Sequence, residues 1–199
     1  MKILSFHNSI EAGAALYING KITSAISEER LNRIKNFHGF PKKSINFLLK
    51  NFKLSFKDFD YIVYGAINSI NPDKETLKKI EQKKKKIPKK YFFKFDERVS
   101  TEINWNKKHI TEVLKFAKKN DFLHKFILLD HHESHAASAY FCSPFKKALI
   151  FTFDGKGGFK SSSIYNGVGS IFERVSYLTT FDSLGYFYGN ITRALGFKS

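Results

Sequence analysis

Phe126-Ile-Leu-Leu-Asp-His-His-Glu-Ser-His-Ala-Ala-Ser-Ala-Tyr140 joins a continuously apolar run to a polar helix start. The four residues Phe126 to Leu129 read as a short buried strand. Asp130 then has the chemistry and position of an N-cap, with Glu133 three residues on, where a capping-box acid belongs. A strand that passes directly into a helix gives the chain an α/β character. On such a helix His131 and His135 stand at i and i+4 and project from one face. Two imidazoles so placed can share one divalent metal. The same spacing is also that of two surface histidines at a polar helix start. His132 points about 100° away around the helix and is the poorer partner for His135.

A second run, Ala148-Leu-Ile-Phe-Thr-Phe153, also reads as a buried strand, and it ends in Asp154-Gly-Lys-Gly-Gly158. A carboxylate at a strand tip followed by glycines can ligate a metal, or let backbone N–H groups approach a phosphate. Glycine suits such a loop because it leaves room for a ligand beside the main chain. Asp-Gly is equally the commonest hairpin signal. With His131 and His135, Asp154 completes a two-His-one-carboxylate set that suits iron, manganese or zinc and leaves positions open for substrate oxygens.

Further blocks lie on either side. They are His7-Asn-Ser9, Ala14-Ala-Leu16, Asn19-Gly-Lys21, Glu28-Glu-Arg-Leu-Asn-Arg-Ile-Lys35 and Phe40-Pro41. Later come Ser143-Pro-Phe145, Ser183-Leu-Gly185 and Leu195-Gly-Phe197. In this order, with Asp130-His-His-x-x-His-Ala and Asp154-Gly-x-Gly, the chain resembles the N-terminal part of the O-carbamoyltransferases that modify nodulation factors, antibiotics and other glycosidic products. The resemblance covers nearly everything except roughly residues 66 to 125. It departs at Asn8, where relatives have aspartate, and at Lys35-Asn-Phe-His38, where a histidine often follows the lysine directly.

The resemblance implies an actin-like ATPase, or ribonuclease H-like, α/β fold with a mixed sheet and flanking helices. It implies a metal, iron in relatives, held by His131, His135 and Asp154. It also implies transfer of a carbamoyl group from carbamoyl phosphate, by way of ATP-derived carbamoyl-adenylate, to a hydroxyl of a small-molecule or glycosidic acceptor. His7 matches a histidine that acts on the acceptor hydroxyl. An imidazole with an ordinary pKa of ~6.5 can take such a proton, or can simply bond to turn backbone. Lys35 matches a lysine near the carbamoyl group, and Arg33 stands beside it as a substrate-binding candidate. Outside the family the Glu28–Arg33 block would be a salt-bridged strand exit. Gly155 and Gly157 are the candidates for contacts to substrate phosphate.

Composition is consistent with an enzyme domain. At 199 residues the chain has the length of one domain or part of a larger one. No apolar run is long enough for a membrane span, and no signal-peptide pattern is present, so a cytoplasmic setting is expected. The single Cys142 excludes an internal disulfide and reads as a small buried residue. The net charge of +16 raises nucleic acid as a partner. However, 29 Lys against 5 Arg is not the balance of phosphate and base recognition, and the lysines are dispersed. The run Lys78–Lys90 reads as a solvated helix end and loop.

A coarse pass places a strand at Lys2–Phe6 and a hairpin of 14–18 and 21–27 around Asn19-Gly20. A helix follows Pro41 with Ile45, Leu48 and Leu49 inward, then a strand at 61–64. Residues 67–105 show no clean period and read as a variable insertion. An amphipathic helix follows at 107–119, with Ile110, Val113, Leu114 and Ala117 inward. Strands are expected at 126–129, 148–153, 162–166 and 170–178, with a final helix at 185–195. The whole, 1–199, reads as an incomplete actin-like domain. Its C-terminal half would be supplied in cis or as a separate chain, and until then the chain should be inactive and prone to self-association through an uncovered apolar face. Two other functions fit the same residues: a protein that transfers threonylcarbamoyl to tRNA, and an idle binding module of the same fold.

Overall fold

Strand β1 (Lys2–His7) organises the first half of the chain. It pairs antiparallel with β2 (Gly13–Ile18), which pairs antiparallel with β3 (Lys21–Ser27). The hairpin between them turns at Asn19 and Gly20, both at positive φ (48° and 90°), as the Asn-Gly dipeptide requires. On its other side β1 pairs parallel with β4 (Tyr61–Tyr64), and β4 with β5 (Phe126–Leu128). The sheet order is therefore β3-β2-β1-β4-β5, the mixed order of the ribonuclease H-like fold shared by actin-like ATPases. Helices α1 (Glu28–Asn32) and α2 (Lys42–Asn51) follow β3.

The computed structural model describes residues 1–197; Lys198 and Ser199, which close the expected domain, lie outside the described residues. The chain divides into two compact units. The first comprises Met1–Asn68 and Lys108–Leu129, the second Ser69–Lys107 and the residues from Asp130 onward.

In the first unit Leu4, Leu16, Ile45, Leu48, Ile62, Val113 and Phe122 are fully enclosed. Each contributes on the order of 2 kcal/mol by leaving water. Phe6, Phe40, Phe56, Phe116, Phe122 and Phe126 form an aromatic cluster, with centroid distances from 4.6 Å (Phe40–Phe116) upward. The run 126–129 is less enclosed than its composition suggests, with Ile127 37% exposed. β5 is the edge strand of its sheet, so it packs on one side only.

The second unit carries α3 (Lys74–Lys84), the first part of α4 (Phe92–Lys119), α5 (His131–Phe141), β6 (Lys147–Gly157), β7 (Lys160–Val168), β8 (Ile171–Thr179) and α6 (Leu184–Ala194). β6, β7 and β8 form an antiparallel meander, as β1, β2 and β3 do. Residues 67–105, expected as an irregular insertion, are largely helical. Their lysines are also partly committed. Lys79 lies 3.4 Å from the centre of the Tyr177 ring, Lys83 pairs with Asp182, and Lys84 pairs with Asp96 at 2.6 Å. β6 corrects a second expectation. Ile150 and Thr152 point inward, but Leu149, Phe151 and Phe153 are 57%, 52% and 65% exposed, because only one face of this sheet edge is covered. Cys142 is exposed at the C-cap of α5, where the chain leaves the helix, and is not the buried residue expected. Among the described residues no helix is long and apolar enough to cross a membrane.

Candidate metal centre

Asp130 caps α5 as its sequence position requires, accepting the Glu133 backbone N–H at 3.1 Å. Its other oxygen takes the Lys160 ammonium at 2.8 Å, with Arg174 at 3.6 Å. Burial alone would raise this carboxyl. The Lys160 charge and hydrogen bond, the Glu133 N–H and the Arg174 charge together outweigh burial and hold it below the usual range. His132, fully buried one residue into the helix, lies with Nδ1 2.9 Å from Thr152 Oγ1 of β6. Burial pushes its pKa down to about 4, so it is neutral at physiological pH. α5 is thus tied to both β6 and β7.

β6 departs from regular pairing where Asp154 lies. Phe153 pairs with Ser162 and Gly157 with Lys160, so Asp154, Gly155 and Lys156 stand against Ser161 alone. Such a bulge bends the strand and re-aims a side chain. The hairpin turn itself is made four residues later by Gly158, at φ +66°, and Phe159. Asp154-Gly155 is therefore bulge, not turn.

The bulge brings Asp154 to the histidines. Asp154 Oδ2 lies 2.6 Å from His131 Nε2 and 3.8 Å from His135 Nε2, and the two Nε2 atoms are 3.0 Å apart. Ligand atoms sharing a tetrahedral ion at 2.0–2.1 Å would be separated by ~3.3 Å, which these distances bracket. Within the described residues this is the group of three whose donor atoms all approach within 4.8 Å. The side chains of His135 and Asp154 are 55% and 38% exposed, so one side of the cluster is open. Burial would raise the Asp154 carboxyl. The His131 hydrogen bond and charge, the nearby His135 imidazole and the backbone N–H of Gly155 together outweigh burial and hold it far below the usual range.

The glycines have defined packing roles. The Gly155 N–H donates to Asp154 Oδ1 at 2.6 Å, which orients that carboxylate. A Cβ on Gly157 would lie 2.7 Å from His131 Cβ and closer still to the ring. Gly157→Ala is therefore expected to displace the His131 imidazole and weaken metal binding by about 10–100-fold, the range found when ligand-orienting groups are lost. Metal titration of this variant beside Gly189→Ala in α6, whose Cβ would meet nothing, checks this. Equal affinities would remove the packing role.

Two residues that the sequence left without a task hold the bulge from the other side. Ser183 Oγ donates to the Gly155 carbonyl at 2.7 Å and, as N-cap of α6, accepts from the Tyr186 N–H at 3.0 Å. A Cβ on Gly185 would stand 2.8 Å from Gly155 N and 2.9 Å from Asp154 O, so only glycine lets the first turn of α6 come this close.

His7, Arg33 and Lys35 belong to the first unit. His7 closes β1, with Nδ1 3.2 Å from Ser9 Oγ. Asn8 is buried, accepting from Tyr64 Oη at 2.6 Å and donating to Glu112 at 2.7 Å, so its amide serves as a core link. Burial, then the Glu112 charge, raises the Tyr64 phenol and keeps it protonated. Glu28 is no surface salt bridge. Its buried carboxylate accepts the N–H groups of Lys43 (3.0 Å) and Ser44 (2.7 Å) at the start of α2. Glu29 accepts the Asn36 N–H at 2.9 Å, and the loop between them holds Arg33, at φ 64°, and Lys35 exposed. His38 stacks on His109, with ring centroids 5.7 Å apart.

The sequence model of the family described as Carbamoyltransferase N-terminus matches residues 2–199. The chain belongs to this family. Uncharacterized protein sll1178 of Synechocystis is 30% identical over 194 residues, spanning 94% of this chain and 31% of the relative. Nodulation protein NolNO of Sinorhizobium fredii is 30% identical over 188 residues, spanning 94% of this chain and 25% of the relative. The chain thus spans under a third of the length of these two relatives. Among solved structures, YeaZ from Pseudomonas aeruginosa is similar over 90% of this chain and 68% of its own, with TM-score 0.46 and 14% identity. The residues that carry the sequence resemblance have physical roles here. Asp130, the two histidines, Asp154, Gly157, Ser183 and Gly185 all build or brace one cluster.

Proposed function

We propose that the chain is the N-terminal part of an enzyme that transfers a carbamoyl group from carbamoyl phosphate, by way of ATP-derived carbamoyl-adenylate, to a hydroxyl of a small-molecule or glycosidic acceptor. The observation that carries the reading is the carbamoyltransferase family match over residues 2–199. The convergence of His131, His135 and Asp154 supports it. These three would hold a divalent ion, and two imidazoles with one carboxylate suit iron, the metal the family resemblance favours, as well as manganese or zinc. When bound, the ion supplies positive charge that favours a nucleotide or adenylate phosphate and its departure.

The chain's own residues do the rest. His7 takes the acceptor proton as the acceptor oxygen bonds to the carbamoyl carbon and the bond from that carbon to the phosphate oxygen breaks. The Lys35 ammonium, with the Arg33 guanidinium, stabilises the negative charge that develops on the carbamoyl oxygen and the leaving phosphate. Since the chain spans under a third of these relatives, turnover is assigned to the longer protein. Residues 1–199 by themselves are expected to show none.

Radiolabelled carbamoyl phosphate, ATP and a panel of hydroxylated acceptors provide the assay. Label should reach an acceptor when the chain is extended to the length of its relatives, and should fall by about a hundredfold or more in that protein with His7→Ala. Transfer by residues 1–199 alone would contradict the assignment to the longer protein. Full transfer with His7→Ala would remove His7 from the mechanism.

A further inference from the structure

A groove of about 440 Å³ opens in the second unit between the first part of α4 and α6. That is the size of a small-molecule site. Lys94, Arg98 and Arg193 line it, against Glu97 and Glu102. Glu102 is nearly fully buried and already neutralised by Lys156 at 2.9 Å. Lys156 itself lies over the Trp105 ring at 4.6 Å. The lining therefore presents three cations against one remaining carboxylate, Glu97.

Both guanidinium groups already have partners that orient them. Arg98 lies 4.8 Å from the ring centre of Tyr186 and 5.5 Å from that of Phe181. Arg193 Nη2 donates to Asn190 Oδ1 at 2.6 Å. Arginines fixed in this way lose less side-chain freedom on donating to an anion, and their planar forks match phosphate oxygens in pairs. Burial, then the charge of Glu102, raises the Tyr186 phenol and keeps its O–H as a donor in the same lining.

We propose that this groove binds a phosphate-bearing small molecule, its phosphate held between Arg98 and Arg193 with Lys94 adding charge. The groove neighbours the histidine–aspartate cluster through Tyr186, which packs beside Gly155, but the proposal does not rest on the carbamoyl-transfer reading. None of His131, His135 or Asp154 lines the groove.

Pyrophosphate and AMP are the probes, titrated by calorimetry and by the fluorescence of Trp105, the single tryptophan. Both should bind saturably to the full chain, and equally to His131→Ala/His135→Ala. Arg98→Gln and Arg193→Gln should each weaken binding by about tenfold or more, the worth of a charge-assisted hydrogen bond. Lys85→Gln/Lys86→Gln, in the exposed lysine run, should bind like the unaltered chain. Arg193 lies on an exposed helix turn, so its variant keeps the test valid if Arg98→Gln unfolds. Any one of three results overturns the proposal: no saturable binding, binding that neither arginine variant weakens, or binding lost with the histidines.

Discussion

Replacing His131 and His135 together by alanine is expected to reduce protein-bound divalent metal to background while leaving helical content unchanged. The variant leaves Asp154 as the sole member of the cluster, and one exposed carboxylate does not hold an ion against water. Loss of a group that merely orients a ligand costs 10–100-fold, so loss of two ligands should exceed about a hundredfold. The helix itself should survive. Alanine is the better helix former, the Asp130 cap and the His132–Thr152 link remain, and His135 is already half exposed. Elemental analysis of protein purified without chelator, with far-ultraviolet circular dichroism alongside, reads both quantities. Retention of full metal in the double variant would move the site elsewhere.

Lys160→Met should destabilise the second unit by about 3 kcal/mol, because it strands the buried Asp130 charge. The Asp130 and Lys160 side chains are 4% and 9% exposed, so solvent cannot take over the lysine's part. Arg174, at 3.6 Å from the same oxygen, should limit the loss to the lower end of the usual range. Asp130→Asn keeps a capping side chain but removes the charge. Combining it with Lys160→Met should therefore cost less than Lys160→Met alone. Urea unfolding of the three variants gives the comparison. A Lys160→Met protein within about 0.5 kcal/mol of the unaltered chain would show the pair to be energetically idle.

Much of this was legible in the residues, for reasons that can be stated. The Asn19-Gly20 hairpin, the Asp130 cap and the His131/His135 spacing depend on local chemistry, and local chemistry is written in short stretches. Long-range consequences were less visible. On early α4, Phe95, Glu102 and Asn106 are buried and Val99 and Ile103 partly buried, so polar residues interrupt its inward apolar face. A hydrophobic period could not reveal that helix, so residues 67–105 read as irregular. Glu28 looked like a surface acid, because its partners at Lys43 and Ser44 are brought to it only by folding. The apolar run 148–153 looked buried on both faces, because composition does not record that only one face of β6 is covered. The likeness of the meanders β1–β3 and β6–β8 is one of topology, so no sequence repeat announced it. The bracing of the Asp154 bulge by Ser183 and Gly185 was hidden for a similar reason. The family block flagged those residues, but only the fold shows what they touch.

Anomalous diffraction from crystals grown with iron, manganese or zinc, collected on both sides of each metal's absorption edge, tests the central claim most directly. A single strong peak is expected about 2.0–2.2 Å from Nε2 of His131, Nε2 of His135 and a carboxylate oxygen of Asp154. A metal peak at other residues, or none at this cluster with the metal in excess, would contradict it.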